Sequence, residues 1–335
     1  RVLVTGGGGY VGSITAERLL AEGHPVTILD SLVTGHSPAV PPDATVVEGT
    51  VDDREAVLRA VAENGIEGVV HCAARSLVGE SVNDPALYYR ENVVGGIAFL
   101  DTLREAGVRR IVFSSSAAVY GEPESIPILE SQPARPVNPY GETKLAFEGA
   151  LRWYSRTYGI RAVSLRYFNV AGATEERGED HQPETHLIPN VLAAAAGGAP
   201  VTIFGTDYPT PDGTCIRDYI HVADLADAHM AALRLESEPG LEIINLGSGS
   251  GFSVLEVLRA AEGVVESPVP HVLGPRRAGD PPVLVASNDL ARERLGWTPR
   301  RGSLEEMIGS AWAWRQRHPR GYADGQHQQL GAASA

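Results

Sequence analysis

Over the first half of the chain, short runs of Val, Ile and Leu bounded by Gly, Asp or Pro alternate with longer segments whose apolar residues recur at three- and four-residue spacing. The short runs predict strands at 1–6, 25–30, 45–49, 68–74, 110–116 and 161–169, and the longer segments predict helices around 11–22, 53–64, 86–106 and 140–158. Near-continuous apolar strands separated by helices pair in parallel with both faces covered, so the expected fold class is α/β with a doubly wound parallel sheet. After about residue 170 the pattern breaks into Gly- and Pro-rich segments with polar insertions such as GATEERGEDHQPETH and FGTDYPTPDGTC, which predicts a smaller, mixed α/β second domain. The expected division is 1–170 and 171–335, with the strand–helix pair in DYIHVADLADAHMAALRL, inside about 215–236, returning to the first sheet. The tail after Gly321 is polar and rich in Gln and Ala and reads as frayed.

Composition narrows the function classes. With 335 residues, 43% of them hydrophobic, the chain can bury a large core. Its formal charge of −14, without a Lys/Arg cluster, argues against a nucleic-acid partner, so any phosphate group must be held locally. Cys72 and Cys215 are the only cysteines and lie far apart, which argues against a disulfide framework or a zinc site and suits a reducing cytoplasm. No metal site is expected on this basis. No apolar stretch approaches the roughly 18 residues of a membrane span, and no charged-then-apolar leader is read. The chain begins on a strand, which suggests that a few leading residues precede it.

The opening VLVTGGGGYVGS carries the first chemistry. Gly6, Gly9 and Gly12 fall after a strand and at the start of a helix, where a pyrophosphate docks: Gly6 permits a tight turn, Gly9 lets the main chain approach the phosphates and Gly12 allows close packing. The spacing differs from G-x-G-x-x-G. Asp30 ends the next strand about 20 residues on and suits a ribose 2′-OH, and no Arg follows it, which favours NAD over NADP. The bland alternative for Asp30 is a solvated strand end or a cap.

The second constellation is NPYGETKLAFE, where Tyr140 and Lys144 stand at i, i+4 on a predicted helix and share a face. An ammonium roughly 6 Å from a phenol at an effective dielectric near 20 contributes roughly 2.8 kcal/mol, enough to pull the phenol down by about two pH units and make it a base near neutrality. Ser116 closes the strand RIVFSSS beside it, at the edge where open α/β sheets bind ligands. A Tyr/Lys pair alone is commonplace on helices; the company of a dinucleotide turn and a strand-end Ser makes it a catalytic candidate.

On these residues, and on VGESVNDPALYY, SSSAAVYGEP, LRYFNVAGA, GTDYPTPDGTCIRDYIHVADLADAH, INLGSGSGFSV, PRRAGDPP and HPRGY, the chain resembles the extended short-chain dehydrogenase/reductases of Rossmann-type fold. Within them it resembles the UDP-glucose 4-epimerases over nearly its whole length. The resemblance implies bound NAD and interconversion of UDP-glucose and UDP-galactose through a 4-keto sugar that rotates before hydride returns. It implies that Tyr140 is the base, Ser116 holds O4, and Lys144 binds the nicotinamide ribose and tunes Tyr140. It places Gly6, Gly9, Tyr10, Val11, Gly12, Asp30 and Asn92 on the cofactor, with Thr50 and Val51 near adenine. Arg217, Arg277 and Asn169 would meet the diphosphate, and Leu187, Phe204 and Asp280 uracil and ribose.

The pattern departs from the family at Thr50, where many relatives carry Asp, and at Ser76, where several carry Lys; neighbouring Arg75 is the candidate replacement. Leu284, four residues after Asp280, falls at the wall facing the sugar's C2 substituent, so UDP-N-acetylglucosamine is expected as a further, poorer substrate. Two rivals share the fold. A nucleotide-sugar 4,6-dehydratase needs an added acid and base after the strand-end hydroxyl, where this chain has Ala117 and Ala118. A non-catalytic NAD-sensing protein would not need Ser116, Tyr140 and Lys144. The apolar faces near 86–106 and 140–158 resemble those that pair across a two-fold axis in this superfamily, which implies a homodimer.

Overall fold

The computed structural model describes residues 1–277 and 280–323. Six strands lie where apolar runs predict them: β1 (Val2–Thr5), β2 (Val26–Asp30), β3 (Thr45–Glu48), β4 (Gly68–His71), β5 (Arg110–Ser114) and β6 (Arg161–Tyr167). They form one sheet with the strand Gly240–Leu246, in the order Gly240–Leu246, β6, β5, β4, β1, β2, β3, and every pairing is parallel. β1, β2 and β4 are buried throughout, as strands covered on both faces must be. Alternation along β1 sends Val2 and Val4 into one apolar layer and Leu3 into the other.

Helices Tyr10–Ala21 and Val222–Arg234 cover the first layer, and Arg54–Asn64, Gly96–Glu105 and Pro139–Tyr158 the second. The segment expected as one helix at 86–106 is helical throughout but in three pieces, Pro85–Tyr88, a π-turn segment Tyr89–Gly95, and Gly96–Glu105. Gly96 explains how close it lies to its neighbour: a Cβ there would sit 2.6 Å from the Phe147 ring on Pro139–Tyr158. That long helix opens on an Asn138 cap accepting from the Gly141 N–H at 2.9 Å, with Pro139 in its first turn, and ends at Gly159 with φ 70°.

Two expectations are corrected. Within 215–236 the helix Val222–Arg234 packs on the large sheet, but the strand before it, Tyr219–His221, pairs with Asn169–Ala171 in a separate ribbon. The strand that does join β6 is Gly240–Leu246, which the pattern reading did not place, because its outer half is only partly buried and its apolar run is just IINL. The tail is ordered further than its composition suggested. Tyr322 is buried, its hydroxyl donates to the Gly178 carbonyl at 3.2 Å and accepts from the Gly178 N–H at 3.1 Å, and its ring lies 5.2 Å from Trp314. The rest of the tail expected to fray, 324–335, lies outside the described residues.

A third core joins helices Leu187–Ala195, Val254–Val265 and Leu304–Arg317 beneath small sheets, Val201–Phe204 with His271–Gly274, and Ile216–Arg217 between Phe252–Ser253 and Val283–Leu284. No helix among the described residues is long and apolar enough to cross a membrane.

One buried ion pair fixes Pro139–Tyr158 to the sheet. Glu148, with no exposed surface, takes two hydrogen bonds from Arg166 of β6, at 3.0 and 2.5 Å, and one each from the Ser115 and Ser164 hydroxyls at 2.8 and 2.7 Å. Removing one partner of such a pair leaves a buried charge unpaired, so Glu148→Ala should cost about 3–5 kcal/mol in urea unfolding. A loss under about 1 kcal/mol would show that the helix is held by apolar packing alone.

Candidate active site

The order of the sheet reverses between β1 and β4, and the glycine turn lies at their carboxyl ends. Each expected glycine has a measurable reason. Gly6 adopts φ +72°, and a Cβ on Gly12 would lie 2.1 Å from the Gly6 carbonyl oxygen. Gly9 caps the helix Tyr10–Ala21 without any side-chain hydrogen bond, which leaves first-turn N–H groups of Tyr10, Val11 and Gly12 facing outward from the helix end for an anion. This is a cradle that side chains would fill, so the turn fits a dinucleotide's pyrophosphate.

Asp30 is buried and its two oxygens accept from the Gly8 and Leu32 N–H groups, each at 2.8 Å. It therefore shapes the turn, and each oxygen keeps a lone pair for a ribose hydroxyl. Thr50 is exposed just past β3, and Val51 packs half-buried against the apolar layer below it. Tyr10 spends its hydroxyl on the Gly172 carbonyl, tying the glycine turn to the second half of the chain.

Ser116 follows β5, capping a short turn by accepting from the Ala118 N–H at 3.1 Å. Tyr140 is buried, with the Ser116 side chain beside it. One turn along, Lys144 is also buried; its ammonium donates to the Ser114 carbonyl at 2.8 Å, 4.8 Å from the Phe113 ring centroid and 5.8 Å from that of Tyr140. The three residues are thus brought together as expected, but their electrostatics differ from the expectation. Burial raises the Tyr140 phenol above its usual value, and the Ser116 side chain is what opposes that rise. Lys144 is itself pushed down to about 8 by burial, so it is an ammonium below that pH and increasingly a neutral amine above it. Its ammonium is aimed at the main chain of β5.

Asn92 lies beneath this group with its carboxamide spoken for: it accepts from the Arg75 N–H at 2.8 Å and donates to the Arg75 carbonyl at 3.0 Å and the Thr143 hydroxyl at 3.1 Å. It holds the 72–77 loop against the Tyr140 helix. The Arg75 guanidinium is engaged with Glu91 at 2.8 Å.

On the other side, Arg217 forms an ion pair with Asp280 and Arg277 stacks 4.1 Å over the centre of the Phe204 ring. Leu284 lies beside Arg217 in register and packs in the cluster containing Ala117, Val119, Leu145 and Phe168, which puts it on the Ser116 side. Asn169 donates from both its backbone N–H and its side chain to the Asp218 carbonyl, at 3.1 and 3.0 Å. Leu187 is half-buried at the first turn of Leu187–Ala195.

Three supporting residues escaped the sequence reading. Glu148 continues the Tyr140 and Lys144 face at four-residue spacing, which was a usable signal. Asp218, fully buried, accepts from the N–H groups of Ser248, Gly249 and Ala286 and from the Ser248 hydroxyl, so it binds the segments at 248–249 and 286 beside Arg217. His229, fully buried, bonds the Ser114 hydroxyl through Nε2 at 2.7 Å and the Leu225 carbonyl through Nδ1 at 2.9 Å. Neither of these two has a sequence signature.

A glycine turn at the switch point of a parallel sheet, with a half-buried Ser and a buried Tyr and Lys at the carboxyl end of the neighbouring strand, defines a nicotinamide-dependent enzyme of the short-chain dehydrogenase/reductase type. The chain belongs to the NAD dependent epimerase/dehydratase family, whose sequence model matches residues 2–247. It is 51% identical over 315 residues to a UDP-glucose 4-epimerase of Corynebacterium glutamicum, covering 94% of this chain and 95% of the relative. Among solved structures, a UDP-glucose 4-epimerase from Brucella ovis in complex with NAD is 44% identical with a TM-score of 0.89, over 93% of this chain and 97% of that one. The epimerase from Bifidobacterium longum in complex with NAD+ and UDP is 38% identical with a TM-score of 0.90, over 96% and 99%.

Gly12→Ala places a methyl carbon where the Gly6 carbonyl stands, so the turn must open. The purified variant should lose bound NAD, measured by absorbance of the released nucleotide, while wild-type protein retains it. Full retention would show that the turn is not the phosphate cradle.

Proposed function

We propose that this chain interconverts UDP-glucose and UDP-galactose, using NAD that stays bound through the cycle. The observation that carries the reading is the buried Tyr140 with Ser116 beside it at the end of β5, followed by Ala117 and Ala118. That arrangement offers one proton acceptor at the reacting hydroxyl and no second acid for eliminating a 6-OH, which favours epimerisation over dehydration. When bound, NAD supplies the hydride acceptor for C4 and returns the hydride to the opposite face of the ketone. Tyr140 takes the 4-OH proton and later gives it back. Ser116 donates to O4 and steadies the phenolate, which burial alone disfavours. Lys144 serves the nicotinamide ribose as a donor fixed against Ser114.

We assign Gly6, Gly9, Tyr10, Val11, Gly12 and Asp30 to the cofactor, with Thr50 and Val51 at adenine. Asn169, Arg217 and Arg277 suit the diphosphate, and Leu187, Phe204 and Asp280 the uracil and ribose. Arg217 exchanges part of its Asp280 pairing for phosphate oxygens, and Arg277 is free to lift off Phe204. The division of labour follows: 1–170 with the segment around 215–236 and its following strand carries NAD, and the rest of 171–335 carries the nucleotide sugar. Val94 and Ile97, on the face expected to pair, and Trp153, on the neighbouring long helix, are exposed, so that surface fits a second copy of the chain in a homodimer. The free thiols of Cys72 and Cys215 support a cytoplasmic setting.

Tyr140→Phe should keep the fold and its NAD but lower kcat at least about a hundredfold, since only proton transfer is removed. Conversion of UDP-galactose without added NAD measures this; near-normal turnover overturns the assignment, and a 4-keto-6-deoxy product would point to the dehydratase.

Leu284 is smaller than Tyr and leaves part of the C2 pocket open. UDP-N-acetylglucosamine should therefore react at reduced kcat/KM, with a preference for the unsubstituted sugar worth about 1–3 kcal/mol. Leu284→Tyr should widen that preference and Leu284→Cys narrow it; a ratio unmoved by both removes Leu284 as the gate.

A further inference from the structure

Between Gly172 and the helix Leu187–Ala195, one loop turns four side chains toward a common point. Glu179, His181, Glu184 and His186 each offer one nitrogen or carboxylate oxygen, and all four atoms lie within 4.8 Å of one another. His186 Nδ1 stands 2.9 Å from Glu179 Oε1 and 2.8 Å from Glu184 Oε1. His181 Nδ1 stands 3.1 Å from Glu179 Oε1 and 4.0 Å from Glu184 Oε2. Donors around a tetrahedral ion with bonds of about 2.0–2.2 Å are about 3.3–3.6 Å apart; three of these separations are hydrogen-bond distances just inside that spacing and one lies just outside it, so an ion would replace the hydrogen bonds with small shifts of the four side chains.

The chemistry of the set agrees. Without an ion the two carboxylates hold His186 protonated, pushed up to about 10; with both imidazoles deprotonated, as ligation requires, the set would carry two negative charges, and among the described residues every ion pair of Glu179 and Glu184 is with one of these two histidines. A divalent cation would neutralise the group; Arg315 and Glu179 share the wall of a small adjacent cavity, but no ion pair joins them among the described residues. The ligands are also preset. Glu184 Oε1 accepts the N–H groups of Thr185 and His186, both at 2.7 Å, which fixes its carboxylate and leaves Oε2 turned to His181. The Glu179 side chain is only 8% exposed.

We propose that Glu179, His181, Glu184 and His186 form a structural site for one divalent transition-metal ion of the Zn2+ type. A full set of four protein ligands leaves no open position, so the ion does not act on substrate. Two imidazoles disfavour Mg2+ and Ca2+, which take oxygen ligands. The ion would close the loop that leads directly into Leu187. The site escaped the sequence reading because that reading looked to cysteine spacing. It stands independently of the sugar chemistry.

The test uses the full chain with its bound nucleotide, stripped with EDTA, dialysed against micromolar Zn2+ and analysed by mass spectrometry for metal content, with thermal unfolding in parallel. About one equivalent per chain and a raised Tm are expected. His181→Ala with Glu184→Gln, which keeps the carbonyl acceptor, should bind at least about tenfold more weakly while retaining NAD. If the double variant does not fold, His181→Ala alone serves, at a side chain 28% exposed. His327→Ala, in the tail, should retain the metal. Less than about a fifth of an equivalent in wild type, or equal binding in the His181 variant, overturns the site and leaves a hydrogen-bonded ion-pair cluster; neither outcome touches the epimerase assignment.

Discussion

The carboxylate of Glu148 is the fixed point on which the catalytic face depends. It is withdrawn from water and satisfied by a bidentate guanidinium and two hydroxyls drawn from two adjacent strands. Desolvating both charges is expensive, and their mutual attraction offsets that only while the geometry holds. The helix Pro139–Tyr158 therefore has one depth and one rotation relative to β5 and β6. Tyr140 and Lys144, two and one turns nearer the helix start, inherit that placement, and the Ser114 carbonyl and Asn92 carboxamide complete it. The pair contributes position more than stability.

Glycines and spacing made much of this legible in the sequence. The Gly6, Gly9 and Gly12 turn was readable because each position excludes a Cβ for local reasons, and Tyr140 and Lys144 because helical spacing alone puts them on one face. What was not legible depended on contacts between distant segments. Gly240–Leu246 was not placed as a strand, its first half being only partly buried, and pairing with β6 makes it one. Asp218 and His229 are an ordinary acid and an ordinary histidine until burial surrounds them with donors and acceptors. The phenol's electrostatics failed for the same reason. Charge spacing on a helix was known, but the loss of solvent around Tyr140 and the attraction of Lys144 to a strand carbonyl are tertiary facts.

On the substrate side the cations are held in reserve. Arg217 is neutralised by Asp280, and Arg277 rests on an aromatic face, so an acidic protein carries two guanidiniums here without leaving bare positive charge. Both partnerships are weak enough to exchange for phosphate oxygens. Asp218 secures the loops from behind, which lets the arginines move while their backbones do not.

The hydroxyl of Tyr10 has a wider consequence. It sits on the first residue of the glycine-turn helix and ends on Gly172, where the loop carrying Glu179 to His186 begins, while His36, whose N–H donates to the Gly8 carbonyl of the same turn, bonds the Asp180 carbonyl at 2.8 Å. Nucleotide docking and loop order are thus two readings of one equilibrium. By thermodynamic reciprocity, whatever free energy an ordered loop lends to the dinucleotide, a bound dinucleotide lends back to the loop. Loosening the loop would therefore also free the first residue of the glycine-turn helix from its Gly172 anchor.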